Sequence, residues 1–191
     1  IVGGTFGSIN AANLTNLNAT ALTSGTVPDA RFPATLPAIS GANLTNLPAG
    51  GKILQVVQGL TGSDTATSNT DWTATALTAN ITPSSSNSKI IIMANGLFDN
   101  NGGGSQGDGA IYRDSTRLTS SGANGSFGGI YLSDPSQRLF GMLSTSILDA
   151  PSTTNQITYK LYIKHSGPGS TYVTFNSQGG TGYIILMEVS A

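Results

Sequence analysis

The sequence predicts an all-β protein: a jelly-roll-like sandwich head, preceded by an extended, intertwined shaft segment, assembled as a homotrimer. Three observations carry this expectation. Charged residues are only 9% of the 191 positions while glycine fills 25 of them, against usual shares of about 25% and ~7%. With a single glutamate, Glu188, and few lysines, the chain lacks the i,i+4 ion pairs that support surface helices. From Lys52 onward, short apolar or alternating runs are separated by clusters of Gly, Pro, Ser and Asn, the pattern of strands joined by turns. Near the start, Ala12-Asn13-Leu14-Thr15-Asn16-Leu17 returns as Ala42-Asn43-Leu44-Thr45-Asn46-Leu47, an offset of 30 residues.

Residues 1–51 form the first expected unit. A proline or glycine every few residues, as in Ser24-Gly25-Thr26-Val27-Pro28 and Phe32-Pro33, denies this stretch a helix. Its apolar residues, among them Leu14, Leu17, Val27, Phe32, Leu44 and Leu47, recur three to five apart without the alternation of a half-buried strand. One extended chain cannot bury that row. Repeats of this size complete a core with neighbouring copies, so the segment is expected to wind with two partners and turn Leu14, Leu17, Leu44 and Leu47 inward.

Pro48-Ala49-Gly50-Gly51 reads as a hinge, and the head spans 52–191. Its expected strands are Ile53–Gln58, Trp72–Leu77, Lys89–Phe98, Ala110–Leu118, Phe127–Leu132, Arg138–Leu148, Gln156–His165, Thr171–Asn176 and Tyr183–Val189. Regular short strands without a helical stretch point to a sandwich of the jelly-roll kind. In Gln156–His165 the residues Ile157, Tyr159, Leu161 and Ile163 share one face. Ile90-Ile91-Ile92-Met93 and Ile184-Ile185-Leu186-Met187 are instead apolar on both faces. One side fills the sandwich, and the other needs a cover that helices cannot supply. Another copy of the domain is the expected cover, with Tyr183–Val189 near the centre of the assembly.

Charge and composition exclude several function classes. A net charge of −1 opposes nucleic acid or an anionic membrane as partner, since both require a clustered positive field. Without cysteine there is no disulfide framework and no thiolate metal site. The longest apolar runs fall far below the ~20 residues of a membrane span, so no membrane insertion is expected. Ile1-Val2-Gly3-Gly4 matches the mature start of trypsin-like proteases, yet the single histidine, His165, comes too late for their order of triad residues.

At this point the residues carry a resemblance. Ala12–Gly25 together with Thr26-Val27-Pro28-Asp29-Ala30-Arg31-Phe32-Pro33 resembles the shaft repeats of tail fibres of tailed bacteriophages. The head, with Ile81-Thr82-Pro83-Ser84 and the closing Tyr183-Ile184-Ile185-Leu186-Met187-Glu188-Val189, is similar to C-terminal domains of marine and cyanobacterial phage fibres. What the resemblance implies is an extracellular virion component: a homotrimeric fibre whose head adheres to a host cell-surface polysaccharide, joined to other tail proteins through the part preceding residue 1. The paired His-x-His motif by which some fibre tips hold metal is absent, and no cofactor is expected.

No enzyme is expected either, the alternatives to adhesion being a purely structural virion trimer, such as a decoration or collar head, and a glycan-degrading enzyme with a carboxylate pair between chains. Gly103-Gly104-Ser105-Gln106-Gly107 fits a G-x-S-x-G pattern, with Asp134 or Asp149 and then His165 downstream. A nucleophile elbow requires a strand, a sharp turn and a helix, whereas 99–109 reads as a mobile polar loop. Asp99 and Asp108 are weighed as a calcium pair. His165 lies on the core parity of its strand and reads as structural; Trp72, alternating with Ala74 and Ala76, reads as packing. A non-catalytic glycan site combines aromatic faces with amides, carboxylates and guanidinium groups. Such groups are Asp99, Asn100, Asn101, Gln106 and Asp108 in the glycine-rich loop; Tyr131, Asp134 and Arg138 around a Ser-Asp-Pro-Ser turn; and Tyr172, Asn176 and Gln178 at the last hairpin. These are the candidate receptor-binding residues.

Overall fold

The computed structural model describes residues 52–118, 126–134, 136–168 and 171–190. The expected shaft segment 1–51, with its repeat and its leucines, and the boundary after it lie outside the described residues. The head is built from β1 (Ile53–Thr61), β2 (Thr65–Thr67), β3 (Thr73–Ile81), β4 (Lys89–Asn101), β5 (Ser105–Arg113), β6 (Thr116–Arg117), β7 (Gly128–Leu132), β8 (Leu139–Asp149), β9 (Ile157–Ser166), β10 (Tyr172–Phe175) and β11 (Gly182–Val189). Among the described residues the only helical element is a single 3-10 turn, Ser177–Gly179.

Two antiparallel sheets pack face to face. The six-stranded sheet runs β1-β11-β4 with β8 on the far side of β4, and β10 and β2 continue along the end of β4. The five-stranded sheet runs β3-β9-β5, with β6 and β7 sharing the outer edge of β5. Leaving out the short β2, β6 and β10 and numbering the remaining strands 1 to 8, the two orders become 1-8-3-6 and 2-7-4-5, the double Greek key of a jelly roll. The expected all-β sandwich of the jelly-roll kind is therefore the observed fold of the head.

Alternation explains the core. Ile90, Ile92, Ala94 and Phe98 of β4 and Ile184 and Leu186 of β11 point between the sheets, where they meet Leu77, Ile111, Tyr159, Leu161, Ile163, Val173 and Phe175. Burying side chains of this size stabilises by roughly 1.5–3 kcal/mol each. Polar groups close the ends of the sandwich. The Tyr159 hydroxyl donates to Asp149 Oδ2 at 2.7 Å, and Arg113 Nη1 holds both oxygens of Asp149 at 2.9 Å, tying the two sheets together. Burial, reinforced by the Asp149 carboxylate, pushes the tyrosine pKa up. Glu188, fully buried on β11, accepts from the Ser84 N–H and hydroxyl at 2.7 Å and from Gln55 Nε2 at 2.6 Å. Burial alone would raise its pKa; the hydrogen bonds from Ser84 and Gln55 outweigh it and hold the carboxyl at about 2.

The reading of 99–109 as a mobile polar loop is corrected by the structure. β4 extends through Asn101 and β5 begins at Ser105, so most of the stretch is a β-hairpin. Its turn explains the glycine run: Gly102 and Gly104 adopt φ of 143° and 72°, which L-residues with a Cβ rarely reach. Asn100 locks the turn, with Nδ2 donating to Ser105 O at 3.0 Å and Oδ1 accepting from the Ser105 hydroxyl at 2.7 Å. Ser105 is thus a turn lock. β2, unanticipated, is a three-residue strand beside β10, too short to leave a periodic signal.

Candidate functional site

The outer face of the five-stranded sheet carries aromatic and cationic side chains in rows set by register. Tyr112 on β5 lies opposite Arg117 of β6 on one side and Lys160 of β9 on the other. In the next row Ala110 faces Tyr162, which faces Ala74 of β3. Beyond it Gly129 of β7, Asp108 and Lys164 are neighbours. The Tyr112 and Tyr162 rings lie 4.1 Å apart at 33°. Trp72 meets Tyr112 edge-on at 6.4 Å, with Arg117 and Lys164 at 5.6 and 5.0 Å from its ring. Such cation–π contacts contribute about 0.5–1 kcal/mol each at exposed sites. Burial raises the Tyr112 pKa, opposed by the Arg117 charge.

Asp108, buried beneath this face, accepts on Oδ1 from Gln106 Nε2 at 2.9 Å and from the Ser126 hydroxyl at 3.0 Å. Its Oδ2 lies 4.0 Å from Lys164 Nζ and has no hydrogen-bond partner. No ligand-sized cavity opens among the described residues.

The candidate residues named from the sequence divide between opposite surfaces. Gln106, Asp108 and Tyr131 share the outer face of the five-stranded sheet, Tyr131 lying opposite Gln106. Asp99, Asn101 and Tyr172 fall on the outer parity of the six-stranded sheet. There Arg138 grips buried Asp99 with Nε 2.9 Å from both oxygens and a further contact from Nη2, while its guanidinium stacks 4.7 Å from the Phe140 ring. The Asp99 hydrogen bonds raise the Arg138 pKa. Asp99 and Asp108 thus point to opposite sides of the sandwich, which rules out a calcium ion between them. Asn100 and Asn176 are buried; Asn176 Nδ2 donates to Thr61 O at 2.7 Å. Gln178 sits in the 3-10 turn with φ 63°. Asp134 caps its own turn, accepting from the N–H and hydroxyl of Ser136 at 2.9 and 2.7 Å, and these bonds lower its pKa.

His165 is buried, its Nε2 2.7 Å from the Thr171 hydroxyl, consistent with a structural residue. Trp72 does pack, but against the outer face rather than inside the sandwich. Its parity with Ala74 and Ala76, both exposed, was the available signal. Tyr112, Tyr162, Arg117, Lys160 and Lys164 were missed as site residues because only cross-strand register brings them together.

The outer face of the six-stranded sheet differs in kind. Val56, Met187, Ile91 and Leu148 form one unbroken apolar row across β1, β11, β4 and β8. Ile185 and Met93 continue it in the next row, and Leu97 pairs with Met142 further along. Every exposed large apolar side chain among the described residues except Tyr131 belongs to a strand of this sheet.

No protein-family model matches the chain, and no curated protein matches it. Among solved structures it is similar to a structure of infectious bursal disease virus Gx strain, with a TM-score of 0.39 and 12% identity over 74% of this chain and 36% of that one. A Gt strain structure gives 0.36 and 13% over 71% and 42%. The chain spans less than half the length of either viral neighbour. Similarity at this depth assigns no function, which rests on the surfaces themselves.

Proposed function

We propose that this chain is the distal part of a viral tail fibre: a homotrimeric head, carried on segment 1–51, that adheres without catalysis to a host cell-surface glycan. The observation that carries the assembly is the apolar outer face of the six-stranded sheet. Four strands about 4.8 Å apart and some nine residues long at ~3.4 Å each give a projected area on the order of 600 Å². Side-chain relief takes this toward the ~800 Å² that each partner brings to a stable interface. Lys89 at one end and the Arg138–Asp99 pair at the other bound an uncharged centre, the arrangement of an interface core with a polar rim.

Identical copies are the occupant that fits. An apolar face is chemically complementary to itself, and segment 1–51 leads directly into β1, one of the strands that carries the face. Copies joined through that segment would meet here at high effective concentration. The non-catalytic reading is supported by the deeper carboxylates, Asp99, Asp108, Asp149 and Glu188, all of which are engaged in holding the sandwich. Sedimentation of the full chain at micromolar concentration tests assembly, with a mass of three chains expected; a folded single-chain species overturns it. Labelling of host cells by the fluorescent full chain tests adhesion, and absence of labelling on every host strain tried overturns that part.

A further inference from the structure

The geometry points to a binding surface for an acidic saccharide on the outer face of the five-stranded sheet, centred on Tyr112, Tyr162 and Trp72. This rests on the adhesion reading above and places the contact away from most of the loop residues expected from the sequence. Three features converge. The two tyrosine rings stack on each other, centroids 4.1 Å apart and tilted by 33°, and Ala110 and Ala74 are their small cross-strand neighbours, so the half-buried aromatic pair stands above the sheet as an apolar stacking platform. A pyranose ring carries an apolar face of C–H groups that stacks on such a surface, while its hydroxyls remain outward.

The second feature is charge. Arg117 and Lys160 flank Tyr112 on both sides, and neither lies within 4.0 Å of a carboxylate among the described residues. Arg113 and Arg138, by contrast, are each spent on an ion pair. A saccharide with a ring carboxylate stacked on the platform would place its anion against Arg117 or Lys160, where a charge-assisted hydrogen bond is available. Third, Asp108 Oδ2 is a buried acceptor without a hydrogen-bond donor, bordering the same face beside Gln106 and Lys164. That oxygen is shielded from solvent, so the group a sugar hydroxyl meets at this border is the half-buried Gln106 amide, held in place by Asp108. A single-stranded nucleic acid would also stack on aromatics. Nucleic acid needs a clustered positive field along its phosphates, which two cations beside one aromatic cluster do not make, whereas Arg117 and Lys160 match a single ring carboxylate, so the saccharide is the better fit. Because no cavity encloses the ligand among the described residues, each contact is weak, and several copies on one polymer supply the avidity.

The chain has one tryptophan, and it lies on this surface, so its fluorescence is a direct readout. The full chain would be titrated with tetragalacturonate and a hyaluronan tetrasaccharide, with maltotetraose as neutral control and oligothymidine as the nucleic-acid arm. The expected result is a saturable change with at least one acidic oligosaccharide, an at least tenfold weaker response to maltotetraose, and none to oligothymidine. Arg117→Gln with Lys160→Gln should weaken acidic binding at least tenfold, as should Tyr162→Ala, with the sedimented mass unchanged. No response to either acidic probe, an equal response to maltotetraose, or preference for oligothymidine overturns the inference. Host-cell labelling that survives in the double variant also overturns it while leaving adhesion standing; labelling absent from the parent overturns both.

Discussion

The two outer faces of the sandwich obey the same alternation and present opposite chemistry. On the six-stranded sheet the outward residues are Val56, Met187, Ile91, Met93 and Leu148; on the five-stranded sheet they are Tyr112, Tyr162, Lys160 and Lys164. Water tolerates the second set, because an aromatic ring with a polar tip and a long cationic stem expose little bare hydrocarbon. It tolerates the first poorly, and a contiguous apolar area of this size is where a soluble protein meets a partner. The difference teaches that a jelly roll has a natural division of labour. If assembly covers the first face, as proposed, the second stays turned to solvent.

The largest expected effect breaks the first face. Ile185→Asp places a carboxylate in the middle of the apolar rows, and burying it unpaired costs on the order of 3–5 kcal/mol, or roughly 10²- to 4 × 10³-fold in association. Sedimentation should fall to one-chain mass while the far-ultraviolet β signature persists. The same change at Thr78, which lies opposite Lys160 on the other sheet, should leave the mass unaltered; a loss of assembly there would erase the distinction between the faces.

Acid should act next, through the strand that contributes to both the core and the apolar outer face. Glu188 is held at about 2 in the folded chain, below its ordinary value, so it stabilises the fold above the unfolded pKa near 4.5. That contribution is lost as pH falls from about 4.5 through 2, in total on the order of 3 kcal/mol. Thermal unfolding followed from pH 6 to pH 2 should drop over that window, and Glu188→Gln should flatten the profile. An unchanged profile in the variant would remove Glu188 as its cause.

At the rim, Arg138→Ala leaves Asp99 buried without its cation. A loss of roughly 1–3 kcal/mol in denaturant-midpoint stability is expected, and Asp99→Asn in the same background should recover part of it. The smallest effect is at Tyr131, exposed on the five-stranded sheet. Tyr131→Ser should change stability within about 0.5 kcal/mol and leave the assembled mass intact, and a larger loss would mean that this face too is covered.

Much of the fold was legible because strands write their period into the chain. Gln156–His165 alternates so cleanly that its core face, Ile157, Tyr159, Leu161 and Ile163, could be read directly, and the doubly apolar Ile184–Met187 announced a second surface in need of cover. The 99–109 hairpin was misread because its outward and inward positions are filled by Asp, Asn and Gly, and the burial of its two aspartates depends on partners supplied from elsewhere: Arg138 for Asp99 and Ser126 for Asp108. Composition describes a residue's taste for water, not whether a distant side chain will satisfy it.

The candidate site was legible only in fragments for a related reason. Gln106, Asp108 and Tyr131 were picked for their chemistry, but nothing in the chain separates them from Asp99 and Tyr172, which lie on the opposite side of the molecule. By itself the sequence determined the β class, the turns and which residues share a face within each strand. Only the tertiary structure decided which faces lie together, because Tyr112 meets Arg117, Lys160 and Trp72 through antiparallel registers set by the packing of the whole core. A one-residue slip in any of those registers would send the aromatic row inward and dissolve the surface.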